Sequence, residues 1–314
     1  MIKGTVLKGV GGLYTVMLDE EYNGQSTASV RGRGAFRHEK LVLLTGDRVE
    51  LEPQEEGGFF CKSILERKNA LIRPPLANLD IIFVVIPCKR PMPSFEIIDK
   101  LIAIAEHNKI EPVIIVTKSD IDKDFARELY RVYKNSGFEV FITSSENGEG
   151  VSSVKEYLME VTETKAPICA FAGASGAGKS TLMNALFPTL CLETGDLSRK
   201  IERGKNTTRH TELFPLEDLL GKGHMGYLAD TPGFSLLDFE RFDFFGLDEL
   251  FSTFREFGRV SGMCKYTKCS HTKEDGCCIL EMVKKGEIEK SRHASYVALY
   301  EILKKKPAWK KPKQ

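Results

Sequence analysis

Along the first 68 residues the apolar positions come in short runs broken by glycine and polar turns. The runs are Gly4-Thr-Val-Leu-Lys8, Leu13-Tyr-Thr-Val-Met-Leu18, Leu41-Val-Leu-Leu44 and Arg48-Val-Glu-Leu-Glu52. Short strands at roughly ten-residue spacing predict a small β-barrel. Arg73-Pro74-Pro75 then marks a linker, because proline resists the interiors of helices and strands alike. Beyond it the pattern changes. Ile81-Ile-Phe-Val-Val-Ile86 is a continuous apolar run, as expected of a parallel strand covered on both faces. Residues 95–108 repeat apolar side chains at helical spacing, with Phe95, Ile98, Leu101, Ile102 and Ala105 on one face. A strand over 113–116, a helix over 125–135, a strand over 140–142 and a helix over 151–161 follow. A strand over 168–172 then feeds a helix beginning near Lys179, and residues 225–229 form one more strand. This alternation predicts an α/β sheet. From about residue 245 the chain reads as helical. The pattern thus divides the chain into domains at 1–70, 71–240 and 241–314.

Composition sharpens this picture only in places. The chain has 314 residues, 42% of them apolar, enough for globular domains with real cores. No apolar run approaches the ~18 residues that span a bilayer. The opening residues MIKGTVLKGVGG lack the apolar core of a signal peptide. The expectation is a cytoplasmic protein with no membrane partner. The net charge is only +1, but residues 284–314 hold ten Lys or Arg against three Glu. A basic end predicts a polyanionic partner, with a solvated helix end as the plainer alternative. A second basic stretch, Arg31-Gly-Arg-Gly-Ala-Phe-Arg-His-Glu-Lys40, mixes cations with one aromatic. That mix follows a nucleic-acid backbone and stacks a base, making Arg31, Arg33, Phe36, Arg37 and Lys40 candidate RNA contacts. An exposed hairpin loop is the alternative.

The strongest chemistry lies in Phe171-Ala-Gly-Ala-Ser-Gly-Ala-Gly-Lys-Ser-Thr181. Gly173, Ala174, Ser175, Gly176, Ala177 and Gly178 form a loop whose backbone N–H groups can turn inward around a phosphate. Lys179 can reach the β- and γ-phosphates, Ser180 can offer its hydroxyl to Mg²⁺, and the helix through Thr181 points its positive end at the same charge. Thr117-Lys118-Ser119-Asp120 ends an apolar strand. An Asp there accepts from guanine N1–H and the exocyclic amine together, a donor pair that adenine lacks. Most proteins with this motif carry Asn at the position of Thr117. Ser144 and Ser145, after the next strand, fit a supporting loop for the base. Asp230-Thr-Pro-Gly233 ends another strand. There Asp230 can hold Mg²⁺ through water and the Gly233 N–H can sense a γ-phosphate. Between lies Arg203-Gly-Lys-Asn-Thr-Thr-Arg-His210. Thr207 or Thr208 would bind Mg²⁺ only with the γ-phosphate present, which makes this segment a switch.

The usual order of these motifs starts with the phosphate loop. Here the base motif at 117–120 and the supporting loop at 143–145 precede it, and the switch and DxxG follow. Cyclic order is kept and the start has moved, so the α/β domain reads as a circularly permuted GTPase. Such permutations work because the termini of compact domains lie close together.

The cysteines divide in two. Cys61, Cys88, Cys169 and Cys191 sit among apolar neighbours and read as core thiols. Cys264, Cys269, His271 and Cys277 have the spacing of a closed tetrahedral Zn²⁺ site of structural type, with Cys278 a rival to Cys277.

Taken together, these motifs resemble the circularly permuted, small-ribosomal-subunit-dependent GTPases of the RsgA or YjeQ type. The resemblance runs from Gly11-Gly-Leu-Tyr-Thr-Val16, through Arg31–Arg37, Gly46-Asp-Arg-Val49, Arg67-Lys-Asn69 and Arg73–Asn78, to Cys264–His271. It implies an N-terminal OB-fold barrel, a central permuted P-loop GTPase and a C-terminal, mostly helical zinc domain. It also implies GTP hydrolysis to GDP stimulated by the small subunit and its rRNA, a role in late maturation of that subunit, and Cys277 as the fourth zinc ligand. The chain is expected to act as a monomer.

Hydrolysis is the least legible step. The position after DxxG, often a water-orienting Gln, is Phe234, so intrinsic turnover should be on the order of 10⁻⁴ to 10⁻² per second. The family often carries His where this chain has Asn206, so that role does not transfer. His210, Lys179 and Thr208 are the candidate catalytic groups. An RNA-binding module that keeps GTP as a structural ligand is the alternative reading. A small-molecule kinase or ATPase is disfavoured by Asp120.

Overall fold

A computed structural model describes residues 1–32, 42–54, 58–71, 74–190, 211–230, 245–260 and 262–305. Two compact units emerge. One joins Met1–Ile81, Glu156–Phe171 and Thr189–Phe234; the other joins Ile82–Lys155, Ala172–Pro188 and Ser235–Gln314.

The first unit opens with five strands, β1 (Ile2–Val10), β2 (Leu13–Tyr22), β3 (Gln25–Gly32), β4 (Arg48–Pro53) and β5 (Phe59–Ile64). They close into a barrel in the order β1-β2-β3-β5-β4, antiparallel except where β3 meets β5. Alternate side chains fill it: Val6, Val16, Leu18, Val30, Val49, Leu51 and Cys61 are buried together. Closure abolishes the sheet edges that an open five-stranded sheet would expose.

Residues 42–44 do not extend as the strand the sequence suggested. Leu43 is buried in the barrel core, but the Leu44 N–H donates to Asp47 Oδ2 at 2.7 Å, so a side chain has taken the place of a ladder partner. Asp47 also accepts from the Arg67 guanidinium at 2.7 and 2.8 Å. The expected proline linker is a turn. Pro74 and Pro75 lie between two short strands, β6 (Ala70–Leu71) and β7 (Leu76–Ala77). Asn78 then accepts from Lys68 N at 2.8 Å and donates to the Gly46 carbonyl at 2.9 Å. Gly46 has φ +87°, and a Cβ there would lie 2.2 Å from the Ala77 carbonyl, so only glycine fits.

The same unit holds β12 (Glu212–Pro215) and β13 (Tyr227–Asp230), antiparallel, with the start of β11 (Ile168–Gly173) parallel to β13. β13 begins later than the expected residue 225. Met225 N instead bonds the Thr162 carbonyl at 3.0 Å, and Gly226 turns at φ +103°.

The second unit carries β8 (Ile81–Pro87), β9 (Glu111–Thr117) and β10 (Glu139–Ile142) in the order β10-β9-β8. Every residue of β8 is buried, as the unbroken apolar run requires. Its helices are α1 (Phe95–His107), α2 (Lys123–Asn135), the first part of α3 (Val151–Thr164) and α4 (Lys179–Leu186). Asp122 caps α2 by accepting from Phe125 N at 3.0 Å. The C-terminal segment is helical, but its start is built of 3₁₀ turns at Leu250–Thr253 and Arg255–Val260. After the short α5 (Leu216–Leu220) of the first unit come α6 (Cys278–Lys285) and α7 (Lys290–Lys304). Phe245, Leu250, Phe254, Phe257, Tyr296 and Leu299 form a core with Ala103 and Ile104 of α1.

Arg292, counted with the basic end, is not a surface cation. It is fully buried, donating to Asp99 Oδ1 at 2.6 Å and to Glu256 at 2.8 and 3.2 Å. Charges so buried persist only when paired and hydrogen-bonded. Among the described residues no helix is long and apolar enough to cross a membrane.

Candidate functional site

The phosphate loop stands where the sequence put it, between β11 and α4. Gly173 has φ +154°, and a Cβ on it would lie 2.4 Å from the Val85 carbonyl. The first glycine is therefore required by the approach of β8. Gly176 and Gly178 take φ +74° and +93°, turning the loop toward the α4 N-terminus. Ala174, Ser175, Gly176 and Thr181 are exposed, Ala177 is buried, and Gly178 and Ser180 are half-buried. Lys179 curls back over the loop, donating to the Gly173 and Ala174 carbonyls at 2.8 and 2.9 Å. Burial lowers its pKa from the usual lysine value.

The base motif lies against this loop. Thr117 Oγ1 donates to the Ala177 carbonyl at 2.6 Å. Lys118, with φ +60°, sends its ammonium to the Gly176 carbonyl at 2.7 Å and also to the Arg90 carbonyl. Asp120 accepts from the Ser144 hydroxyl at 2.5 Å, so residue 144 orients this carboxylate. Ser144 is buried and Ser145 half-buried. The Ser119 N–H bonds the Thr143 carbonyl at 3.2 Å, locking the two loops together. Cys88, just behind, has its thiol pushed up to about 11 by burial and then by the Asp122 and Asp120 carboxylates, which suits an inert core thiol. The part played by Arg90 carried no sequence signal, since it acts through a backbone carbonyl.

Asp230 ends β13 in the first unit, opposite Glu212 on β12. Desolvation, and then the Glu212 carboxylate, push its carboxyl group up from the ordinary aspartate value. Arg31 is exposed on β3. The other RNA candidates Arg33, Phe36, Arg37 and Lys40 lie outside the described residues, as do Asn206, Thr207, Thr208, His210, Gly233 and Phe234.

In the C-terminal segment, donor atoms of Cys264, Cys269, His271 and Cys277 all lie within 4.8 Å of one another. His271 Nδ1 is 3.5 Å from the sulfurs of both Cys264 and Cys277. Cys278 Sγ sits 2.9 Å from Cys264 Sγ but is turned toward the Val260 carbonyl, at 3.6 Å. Such a cluster can hold a metal ion. Its frame is built by Glu274, which accepts from Ser270 N at 2.8 Å and from the Ser270 hydroxyl. Partial burial pushes that carboxyl up, but these bonds and neighbouring N–H groups hold it down at about 2. His293 Nε2 lies 2.8 Å from the His271 carbonyl, and the Tyr296 hydroxyl donates to the Ser270 carbonyl at 3.2 Å. Glu274 and His293 have no spacing that marks them in the sequence.

The barrel, the strand-loop-helix phosphate site and the reordered motifs can be set beside known proteins. Residues 3–58 match the RsgA N-terminal domain and residues 64–240 the RsgA GTPase domain. The chain is 36% identical to the small ribosomal subunit biogenesis GTPase RsgA of Caldanaerobacter subterraneus, covering 97% of both chains. It is 35% identical to that of Bacillus subtilis, covering 98% of this chain and 100% of the other. The crystal structure of YjeQ from Thermotoga maritima superposes with a TM-score of 0.78 at 32% identity, over 98% of this chain and 99% of that one. The crystal structure of YloQ, described as a circularly permuted GTPase, gives 0.75 at 32% identity, over 98% and 97%. With its five-stranded barrel and permuted GTPase fold, this chain belongs to the RsgA GTPase family.

Proposed function

We propose that this protein hydrolyses GTP in the late maturation of the small ribosomal subunit, binding the subunit and its rRNA and turning over when seated there. The observation that carries the nucleotide reading is the pair of bonds from Thr117 and Lys118 to the carbonyls of Ala177 and Gly176. They fix a guanine-reading carboxylate and a phosphate loop in one compact unit. The relatives' names supply the subunit.

Asp120, held by Ser144, accepts from guanine N1–H and the exocyclic amine. Gly173 to Gly178 present N–H groups to the phosphates, and Lys179 leaves its loop carbonyls for the β- and γ-oxygens. Ser180, Thr208 and Asp230 would hold Mg²⁺, with Thr207 the alternative to Thr208. Hydroxyl and carboxylate oxygens suit that hard cation, which supplies charge neutralisation at the phosphates. Gly233 senses the γ-phosphate, and His210 is the side chain assigned to water. Cys264, Cys269, His271 and Cys277 would hold Zn²⁺. A tetrahedral ion with Zn–S near 2.3 Å spaces its donors about 3.8 Å apart, which the clustered donors fit. Four protein ligands leave no open position, so this ion serves the fold. Arg31, Arg33, Phe36, Arg37 and Lys40 contact RNA from the barrel. The protein works as a cytoplasmic monomer with domains at 1–70, 71–240 and 241–314.

The test is GTP turnover by zinc-loaded protein alone, with small subunits and with large subunits. Stimulation by the small subunit only, lost in Lys179→Ala, is expected. Equal turnover in all three conditions would overturn the subunit-dependent reading.

A further inference from the structure

The first unit holds an open cavity of about 730 Å³ that none of the nucleotide, zinc or RNA candidates lines. That volume is in the range of small-molecule sites. The barrel strands β1, β2 and β4 contribute to its lining, and so does the turn into β13.

His224, in that turn, lines the cavity yet is only 7% exposed. Its Nδ1 lies 3.0 Å from the Thr162 hydroxyl of α3, which is fully buried and outside the lining. A hydroxyl has one hydrogen, and the Leu158 and Met159 carbonyls stand 2.8 and 3.0 Å away to receive it. Toward the ring the hydroxyl therefore accepts. Nδ1 carries the imidazole hydrogen, and Nε2 is left as an acceptor on the edge turned to the cavity. Among the described residues Nε2 has no partner. A buried acceptor favours any ligand that brings it an N–H.

The charges of the lining say what carries that N–H. Arg48 is held by Asp19 at 2.7 and 2.5 Å, and Lys68 by Asp80 at 2.8 Å. These two pairs cancel. The other two carboxylates of the lining, Glu66 and Glu217, are exposed and belong to neither pair. The lining thus keeps two negative charges. A bare metal ion is a poor match. Among the described residues, the only His, Cys, Asp and Glu donors close enough to hold one are those around Cys264. Leu18, Ile168, Pro215 and Met225 add apolar wall, and Tyr227 adds an aromatic ring that can face a cation. We propose that this cavity binds a small organic dication of the alkyl diamine or polyamine class. One ammonium donates to His224 Nε2, the alkyl chain lies along the apolar wall, and Glu66 and Glu217 balance the charge.

The experiment titrates 1,4-diaminobutane and spermidine into nucleotide-free, full-length protein stripped of nucleic acid, followed by calorimetry and by the thermal midpoint. Both amines are expected to bind and to raise the midpoint, since a ligand of the folded state stabilises it. Butylamine, with one charge, should bind more weakly. Glu66→Gln and Glu217→Gln are each expected to weaken diamine binding by roughly two- to five-fold, the scale of an exposed charge contact. His224→Phe should weaken it by about ten-fold or more, the scale of a hydrogen bond to a charged group. Retained GDP binding shows that each variant is folded, and the two glutamates are exposed, so the test survives if His224→Phe is not. No binding by the parent, or parent affinity in both glutamate variants, overturns the inference. Displacement of the diamine by an equal concentration of Mg²⁺ would reveal only an ion atmosphere and overturns it too. Binding of a tetralysine peptide but of neither amine would replace the small ligand with a basic protein tail.

Discussion

The Thr117 hydroxyl donates to the Ala177 carbonyl at 2.6 Å, joining the end of β9 to the phosphate loop. Thr117 is buried, and among the described residues its other acceptor is the Ile86 carbonyl at 3.5 Å. An asparagine, usual at this position, could make a similar tie through its longer amide. Here a shorter side chain does so because the loop backbone comes within hydroxyl reach. Thr117→Val keeps the shape and removes the donor, leaving a buried carbonyl unmet at a cost of roughly 1–3 kcal/mol. Affinity for GDP and GTP is expected to fall together, by about five-fold or more, in equilibrium titrations. Unchanged affinity for both would show that the tie does not hold the loop.

Asp120 offers a second handle. With one oxygen taken by the Ser144 hydroxyl at 2.5 Å, the carboxylate is oriented before any base arrives. Asp120→Asn replaces an acceptor pair with one acceptor and one donor. Guanine then meets a donor where it presents its own amine, whereas xanthine presents a carbonyl there. Hydrogen bonds to a charged group are worth about 1.5–3 kcal/mol each, so GTP affinity should drop by roughly a hundred-fold. Xanthosine triphosphate is expected to bind the variant better than the parent. Competition titrations with the two nucleotides decide this, and retained guanine preference would mean that Asp120 does not read the base.

Arg292 concerns stability rather than nucleotide. Its guanidinium is fully buried between Asp99 and Glu256, and stands 4.6 Å from the Phe254 ring centroid. Burial pushes the Asp99 carboxyl up, opposed by the arginine, so the pair depends on its cation. Arg292→Leu would strand two carboxylates in the core. The expected loss is about 3–5 kcal/mol, read from urea unfolding with an unchanged slope. A variant as stable as the parent would show that water reaches the site once the arginine is gone.

The sequence was most legible where chemistry dictates residue type at fixed spacing. Gly173, Gly178, Lys179 and Ser180 leave little freedom around a phosphate, and the Cys264–Cys277 spacing leaves little around a metal. The unbroken apolar run of β8 was equally plain, because full burial tolerates nothing else. What could not be read are partnerships across long stretches of chain. Arg292 looked like one cation of a basic end, yet its partner Asp99 lies 193 residues earlier. Leu41 to Leu44 looked like a strand, since the pattern cannot reveal that Asp47 captures the Leu44 N–H. Pro74 and Pro75 looked like a spacer, though Asn78 bonds both Lys68 and Gly46 beside them.

The paired cysteines at 277 and 278 give the sharpest test of the metal centre. Spacing alone left both open as the fourth ligand. The cluster of mutually close donors contains Cys277, whereas Cys278 Sγ approaches the Val260 carbonyl at 3.6 Å. Cys277 is buried at the cap of α6, so its thiolate would face the ion with the helix N-terminus behind it. Cys277→Ser is expected to purify with well under one Zn²⁺ per chain and to unfold at lower temperature, since structural zinc binding is worth roughly 10–16 kcal/mol in small sites. Cys278→Ser should keep about one Zn²⁺ and most of the stability. Metal content by elemental analysis and thermal midpoints with and without chelator measure both. A chelator should lower the midpoint of the parent and of Cys278→Ser, and hardly move that of Cys277→Ser. The reverse ranking of the two variants would assign the ion to Cys278 and require α6 to turn at its first residue when metal binds.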